Sequence, residues 1–355
     1  MNFSRHLLDW YQNNKRDLPW RKTKDPYTIW VSEIIMQQTR VDQGLDYFNR
    51  FMERFPDVIS LSLATEEDVL KVWKGLGYYS RARNMHLTAS HVVTHLGGEF
   101  PSDHKILIGL KGIGVYSAAA ISSICAAEPN PVVDGNVVRV ISRCFGIDDQ
   151  VGSTLSRKRV FEKAKLLIDK KNPGDFNQAM MEFGAIHCTT RNPACQNCIF
   201  KHKCIAYQSN QVDELPVRKR KAAPRNRFMN YLCISVPGEG LMVTKRSGND
   251  IWKNLWELPL HESDRLLTTE AMKQTSLWHS MQGRESDIIF KTLDFKHILT
   301  HQVIYARFFI VKAGQSTFRV PDDKNWMIDR PLVSGLPVSR LTGRFLEQAE
   351  AEIYG

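Results

Sequence analysis

The spacing of apolar positions changes once along this chain. Up to about residue 210 they recur at helical intervals, and segments near 3–13, 27–36, 43–55, 66–73, 80–96 and 157–169 are predicted as helices. Beyond residue 228 apolar and polar residues alternate over 229–236, 241–244 and 304–311, which predicts strands, with turn signals such as Pro237-Gly238 and Ser247-Gly248. Helices are expected again near 268–281 and 340–352. Between the two regimes, residues 211–227 read QVDELPVRKRKAAPRNR, with two prolines and six Lys or Arg against two acids, the composition of a basic linker. No repeat of fixed period occurs. The pattern predicts two folded parts, an all-α domain over 1–210 and a strand-rich α+β domain over 228–355.

The helical part contains one informative break. Gly112-Ile113-Gly114 lies between a short apolar segment, 106–110, and a small-residue helix near 116–126, so two helices joined by a Gly-x-Gly turn are expected. Two glycines permit a tight turn and point successive N–H groups outward beside a helix N-terminus, an arrangement suited to a phosphate. Pro129 and Pro131 end that helix, and Asp134-Gly135-Asn136 starts another whose apolar residues fall at Val137, Val138, Ile141 and Phe145. Taken singly, the turn is a plain helix connection and Asp134 an ordinary N-cap.

Composition adds bounds. A chain of 355 residues with 43% hydrophobic content can fill two cores, and a net charge of +10 with a pI near 9.2 favours a polyanionic partner. The N-terminal segment is charged throughout and no run approaches eighteen apolar residues, so a cytoplasmic protein without a membrane span is expected. Seven cysteines occur, and four crowd together as Cys188, Cys195, Cys198 and Cys204. Without an export signal, clustered thiols point to metal more than to disulfides. The form C-x6-C-x2-C-x5-C has one C-x2-C pair where a zinc site normally has two pairs, so a four-thiolate iron–sulfur cluster fits better than zinc. Cys125, Cys144 and Cys233 sit among apolar neighbours and read as small buried hydrophobes.

Three further stretches carry chemistry. Glu33 lies inside the apolar run 31–36, where burial would raise a carboxyl pKa towards the range of a general acid; the plain alternative is an exposed Glu on a polar helix face. Gly75-Leu76-Gly77-Tyr78-Tyr79-Ser80-Arg81 sets two aromatic rings on a glycine turn with an arginine behind, suited to wedging between bases while meeting phosphate; otherwise the tyrosines are core. Trp252 to Pro259 and His297 to His301 stand out in the strand-rich part.

The motifs L-x-G-I-G-x-Y-S-A and V-D-G-N-V-x-R-V, with the cysteine spacing, resemble the helix-hairpin-helix DNA glycosylase superfamily. S-E-I-I-M-Q-Q-T and G-L-G-Y-Y-S-R-A-R are similar to segments of its MutY-type adenine DNA glycosylases. Lys111 stands where that family usually has proline. The resemblance implies a 4Fe-4S cluster on the four cysteines and a hairpin gripping a DNA phosphate through Gly112 and Gly114. It implies Glu33 as the acid that protonates adenine and Asp134 as the carboxylate serving the sugar, with Tyr116 and Asn136 ordering the site. Gln37, Gln38 and Thr39 would face the lesion, and Tyr78 would be the wedge with Arg81 on phosphate. W-K-N-L-W-E-L-P resembles a Nudix-like C-terminal domain, and the absence of a Nudix box makes it a reader and not a hydrolase. H-I-L-T-H resembles the segment that touches 8-oxoguanine, which implicates Leu299, Thr300 and His301, with Leu299 in place of the usual aromatic. The expected substrate is double-stranded DNA carrying adenine opposite 8-oxoguanine or G, and the expected state is a monomer. An endonuclease III-type lyase would need a Lys amine where Tyr116 stands. A noncatalytic redox-sensing DNA-binding protein would not need Glu33 and Asp134 together.

Overall fold

The computed structural model describes residues 2–218, 223–236, 240–280, 288–312 and 325–354. In chain order the helices are α1 (Phe3–Asn14), α2 (Pro26–Met36), α3 (Val41–Arg54), α4 (Val58–Leu63), α5 (Glu66–Val72), α6 (Ser80–His95), α7 (His104–Ile108), α8 (Val115–Cys125), α9 (Gly135–Phe145), α10 (Thr154–Leu167), α11 (Pro173–Glu182), α12 (Ile205–Gln208), α13 (Thr269–Lys273), α14 (Ser276–Ser280), α15 (Arg330–Val333), α16 (Arg340–Gln348) and α17 (Glu350–Tyr354). The strands are β1 (Arg225–Val236), β2 (Gly240–Lys245), β3 (Trp256–Glu257), β4 (Leu260–Ser263), β5 (Ile288–Ile298), β6 (Gln302–Lys312) and β7 (Asn325–Ile328). The Pro237-Gly238 turn and Met281, the end of the helix expected over 268–281, fall outside the described residues. The chain forms two compact units, Met1–Ala64 with Asn84–Lys221, and Thr65–Arg83 with Ala222–Gly355. Among the described residues no helix is long and apolar enough to cross a membrane.

The first unit is helical. Asp25 starts α2 by accepting the Thr28 N–H at 2.7 Å, and Pro26 supplies a first-turn residue that needs no hydrogen-bond partner. Seven of the 11 residues of α2 are buried, so it runs through the interior without a polar face. The small residues of α8 let α11 approach closely: a Cβ on Gly174 would lie 2.8 Å from the Ile124 Cα. The core gathers Leu7, Tyr11, Val140, Ile141, Phe176, Met180 and Phe183. Leu215 is buried in the same core, Val212 and Val217 pack against it, and the Val151 N–H donates to the Val217 carbonyl at 2.8 Å. Three apolar anchors thus tie residues 212–217 to the helices despite the charged composition around them, and β1 already begins at Arg225.

The second unit is α+β. Its mixed sheet runs β3-β2-β1-β6-β5, with β4 beside β1 and β7 beside β2. β1 and β6 are parallel from Arg225↔Gln302 to Ser235↔Lys312, whereas β5 and β6 form an antiparallel hairpin closing at Ile298↔Val303. Met229, Tyr231 and Cys233 face one side with Phe308, Leu341 and Phe345, while Leu232, Ile234 and Val236 face the other with Phe309, Met272 and Trp278. Helices cover both faces, which is why Tyr231 to Ile234 of β1 form a continuous apolar, buried run. α5 and the loop after it belong to this unit. Tyr79 Oη donates to the Val338 carbonyl at 3.3 Å, Arg83 Nη1 to the Lys253 carbonyl at 2.9 Å, and Asn254 Nδ2 to Glu66 Oε1 at 2.6 Å.

Candidate active site and DNA-facing elements

In the first unit α2, α8 and α9 bring Glu33, Tyr116 and Asp134 together. Glu33 sits on α2 between buried Ser32 and Ile34. Burial pushes its carboxyl up to about 7, the Asp134 charge adds to that shift, and a hydrogen bond from the Tyr116 hydroxyl opposes it. Tyr116 also lies 3.3 Å from Met181 Sδ. Asp134 caps α9: one carboxylate oxygen accepts the Val137 N–H at 2.7 Å, and the other accepts Asn136 Nδ2 at 2.7 Å. Burial raises the Asp134 pKa above its ordinary value, and these hydrogen bonds and the Arg139 charge oppose that rise. Two neighbouring carboxyls therefore have different environments: burial lifts Glu33 to about 7, whereas Asp134 accepts two hydrogen bonds that oppose the effect of its burial.

Asn136 is fixed from behind. Arg139 Nη2 donates to Asn136 Oδ1 at 2.8 Å and to the Gly184 carbonyl at 2.6 Å, and Arg139 Nε donates to the Cys188 carbonyl at 2.7 Å. Gly184 lies in a π-helical turn, Phe183–His187, where a Cβ would come within 2.6 Å of the Asn136 Cβ. Neither Arg139 nor this turn was expected from the sequence. Glu182, just before the turn, was also missed. It is buried and accepts hydrogen bonds from Arg16 and Arg21, whose guanidinium groups overcome the effect of burial and hold its carboxyl at about 2. An acid inside the apolar run from Ala179 to Phe183 was the available signal.

The hairpin lies between α7 and α8. Gly112 adopts φ +78°, and a Cβ there would meet the Asn84 Cβ at 2.7 Å. Gly114 differs: it is the extended N-cap of α8, with open space where a side chain would go. Gln37 Nε2 donates to Ser117 Oγ at 3.3 Å, which joins the end of α2 to the first turns of α8. Gln38 is exposed with φ +57°, and Thr39 Oγ1 donates to the Gln37 carbonyl at 3.3 Å. Thr39 also lines an open pocket with Arg16, Arg40, Asn136, Arg139 and Thr189.

Cys188, Cys195, Cys198 and Cys204 line a single small pocket together with Arg143, Cys144 and His187. Arg143 Nη1 lies 3.5 Å from Cys188 Sγ, and the Phe200 N–H points to Cys198 Sγ at 3.4 Å. The buried His187 Nε2 borders the pocket without a hydrogen-bond partner among the described residues. Among the described residues no group of three or more His, Cys, Asp or Glu is drawn together so as to hold a metal ion.

In the second unit Tyr78, at φ +49° and 45% exposed, places its hydroxyl 2.5 Å from Thr300 Oγ1. Arg81 lies over the Tyr78 and Trp73 rings and donates to the Gly77 carbonyl at 3.2 Å; burial lowers its pKa to about 10. Thr300 and His301 are exposed at the tip of the β5–β6 hairpin, while Leu299 turns inward onto the core.

A glycine hairpin leading into a small-residue helix, with an Asp-capped helix set against a half-buried Glu, defines the helix-hairpin-helix class of base-excision proteins. The sequence model described as HhH-GPD superfamily base excision DNA repair protein matches residues 31–169. Among solved structures, a thermostable thymine-DNA glycosylase is similar, with TM-score 0.53 and 28% identity over 58% of this chain and 95% of that one. The adenine DNA glycosylase of Buchnera aphidicola subsp. Schizaphis graminum (strain Sg) is 34% identical over 276 residues, 78% of this chain and 79% of that protein. The adenine DNA glycosylase of Buchnera aphidicola subsp. Baizongia pistaciae (strain Bp) is 30% identical over 342 residues, 94% of this chain and 93% of that protein. The chain belongs to the adenine DNA glycosylases, monofunctional base-excision repair enzymes that hydrolyse the N-glycosidic bond of adenine in DNA.

Proposed function

We propose that Glu33 and Asp134 carry the reaction, on adenine paired with 8-oxoguanine or with G. The carrying observation is the division between the two carboxyls: one is lifted by burial to about 7, and the other accepts hydrogen bonds from the Val137 N–H and Asn136 Nδ2. Breaking the N-glycosidic bond passes through an oxocarbenium-like state, which needs a proton for the leaving base and negative charge near the sugar. Glu33 gives its proton to adenine as the bond breaks, and its Tyr116 hydrogen bond holds the carboxyl in place. Asp134 stabilises the sugar cation, oriented by Val137 N–H and Asn136. Water then adds to the sugar carbon, and its proton returns to Glu33. The base reaches these groups only when flipped out of the duplex. The Arg-lined pocket beside Asn136 suits the extruded nucleotide, and the hairpin N–H groups suit a backbone phosphate.

The four pocket-lining thiols suit a 4Fe-4S cluster better than a single ion. Such a cluster takes four thiolates, and all four line one pocket. When bound, such a cluster supplies electron-transfer capacity and cross-links the loop. Cys188, Cys195, Cys198 and Cys204 would hold it, while Arg143 and the Phe200 N–H point towards ligand sulfurs. In the second unit, read as Nudix-like, Tyr78, Thr300 and His301 form the surface that distinguishes 8-oxoguanine from G.

Asp134→Asn is expected to abolish single-turnover excision while binding to lesion duplex stays within about tenfold, because the lost charge acts mainly in the transition state. Near wild-type excision by that variant would remove Asp134 from the mechanism.

A further inference from the structure

The segment 246–255 is a short loop that closes on itself and carries two residues in left-handed backbone, Trp252 at φ +62° and Asn254 at φ +64°. The Asn254 N–H donates to the Arg246 carbonyl at 2.7 Å, and the Arg246 N–H to the Leu255 carbonyl at 2.9 Å. Arg246 and Arg227 both reach Asp250 within the loop, at 2.9 and 2.7 Å. Asn tolerates that backbone, but a bulky side chain such as Trp adopts it only where the surroundings impose it. The loop fastens the segment that carries Tyr78 at both ends. Asn254 Nδ2 donates to Glu66 Oε1 at 2.6 Å, and the carbonyl one residue back, that of Lys253, accepts Arg83 Nη1 at 2.9 Å. On the hairpin side, the Trp252 ring meets the His297 ring edge-on with centroids 5.8 Å apart, a short way along β5 from Thr300.

Resting on the reading above of Tyr78, Thr300 and His301 as the lesion-facing surface, we propose that Asn254 is a positioning residue for 8-oxoguanine discrimination, fixing the Tyr78 segment against the β5–β6 hairpin through its bond to Glu66. Tyr78 and Thr300 stand 222 residues apart in the chain, and their hydroxyls meet at 2.5 Å. A contact that short leaves neither partner room to drift. Two adjacent residues of one loop supply the fastening on the Tyr78 side, and Trp252 of the same loop supplies the ring against the hairpin. Because the Asn254 amide donates to a carboxylate, the bond is charge-assisted and holds its geometry better than a neutral pair would. Asn254 touches no DNA group in this role and acts only through where it holds Tyr78.

The test is single-turnover excision on duplexes carrying adenine opposite 8-oxoguanine and adenine opposite G, at one salt concentration. The proteins are wild type, Asn254→Gly, Asn254→Asp and the pair Asn254→Asp with Glu66→Gln. Asn254→Gly keeps the left-handed backbone and loses the amide, so the preference for 8-oxoguanine should fall about threefold while the rate on adenine opposite G stays at the wild-type value. Asn254→Asp sets two carboxylates against each other and should lose more. In the pair the roles are exchanged, the amide introduced at 66 donating to the carboxylate introduced at 254, and the preference should return to within about twofold of wild type. An unchanged preference in both single variants at 254, or no recovery in the pair, would overturn the proposal. So would an equal loss on both duplexes, which is what a merely structural residue gives. Thr300→Ala in the same assay separates the two levels of the argument. If it lowers the preference and the Asn254 variants do not, the positioning role alone falls. If Thr300→Ala leaves the preference unchanged, the lesion-facing surface falls and the positioning role with it.

Discussion

At the scale of single residues, Glu33 faces two demands that pull against each other. Its carboxyl stands at 4.5 in an unstructured chain and at about 7 in the fold, so folding favours the protonated form. Ionisation therefore withdraws stability as pH climbs from 4.5 to 7, and the loss is complete above 7. Each pH unit is worth about 1.4 kcal/mol, which puts the ceiling at roughly 3 kcal/mol. Glu33→Gln should accordingly be more stable than wild type at pH 8 and equal to it near pH 4, as read by urea unfolding at both pH values. Its excision should be lost, whereas wild-type single-turnover excision should fall about tenfold per pH unit above 7 as the proton donor empties. A wild-type rate that is flat from pH 6 to 9 would count against Glu33 as the acid. The pair itself was legible in the sequence, because an acid inside an apolar run and an Asp ahead of an amphipathic helix are local features. The grip of Arg139 on Gly184 and Cys188 was not, since those two acceptors lie 45 and 49 residues on, in and just after the π turn, which nothing in the local pattern brings to α9.

At the scale of elements, the hairpin reads as one motif in sequence and as two different glycines in structure. Gly112 is held at positive φ against Asn84, so Gly112→Ala must accept left-handed backbone and displace Asn84, at a cost of about 2 kcal/mol. Gly114 has extended backbone and open space, and replacing it by Ala should cost less than about 1 kcal/mol, the loss expected when a tolerable N-cap becomes a poor one. If the N–H groups at the start of α8 hold a phosphate, the ranking reverses for DNA: a methyl on Gly114 stands where the phosphate must approach. Unfolding midpoints and duplex affinities at one salt concentration would separate the two effects. Equal losses of both kinds in the two variants would refute the distinction. The hairpin and α2 could be placed from spacing and caps. α11 and its π turn could not, because Pro173-Gly174-Asp175 has the composition of a turn and Gly174 is required only by the backbone of α8 lying against it.

At the scale of the whole molecule, the chain is interleaved in a way its hydrophobic pattern hides. Residues 65–83 have the helical character of what surrounds them, yet their partners lie far along the chain: Lys74 bonds the Ser334 carbonyl 260 residues on, and Arg83 the Lys253 carbonyl 170 residues on. Only long-range packing could reveal this, and no local periodicity encodes it. It changes what deletion of residues 222–355 should do. The helical unit keeps its own core, and its last anchor is Val217, so it should still fold and still excise adenine opposite G slowly. The segment from α5 to Tyr78 would lose the carbonyls and the apolar surface it packs on, and Tyr78 would lose Thr300. Amide hydrogens of α5 should then exchange far faster than in the full chain, while those of α2 and α9 should not. Thr300→Ala, which removes one polar contact worth about 1 kcal/mol, should reduce the preference for adenine opposite 8-oxoguanine over adenine opposite G severalfold, and the deletion should reduce it further. Both excision rates must be taken at matched salt, because phosphate contacts make DNA binding salt-dependent. Unchanged protection of α5 together with an unchanged preference would show that lesion reading resides wholly in the helical unit, around Gln37 and Gln38, and that the surface formed by Tyr78 and Thr300 has no part in it.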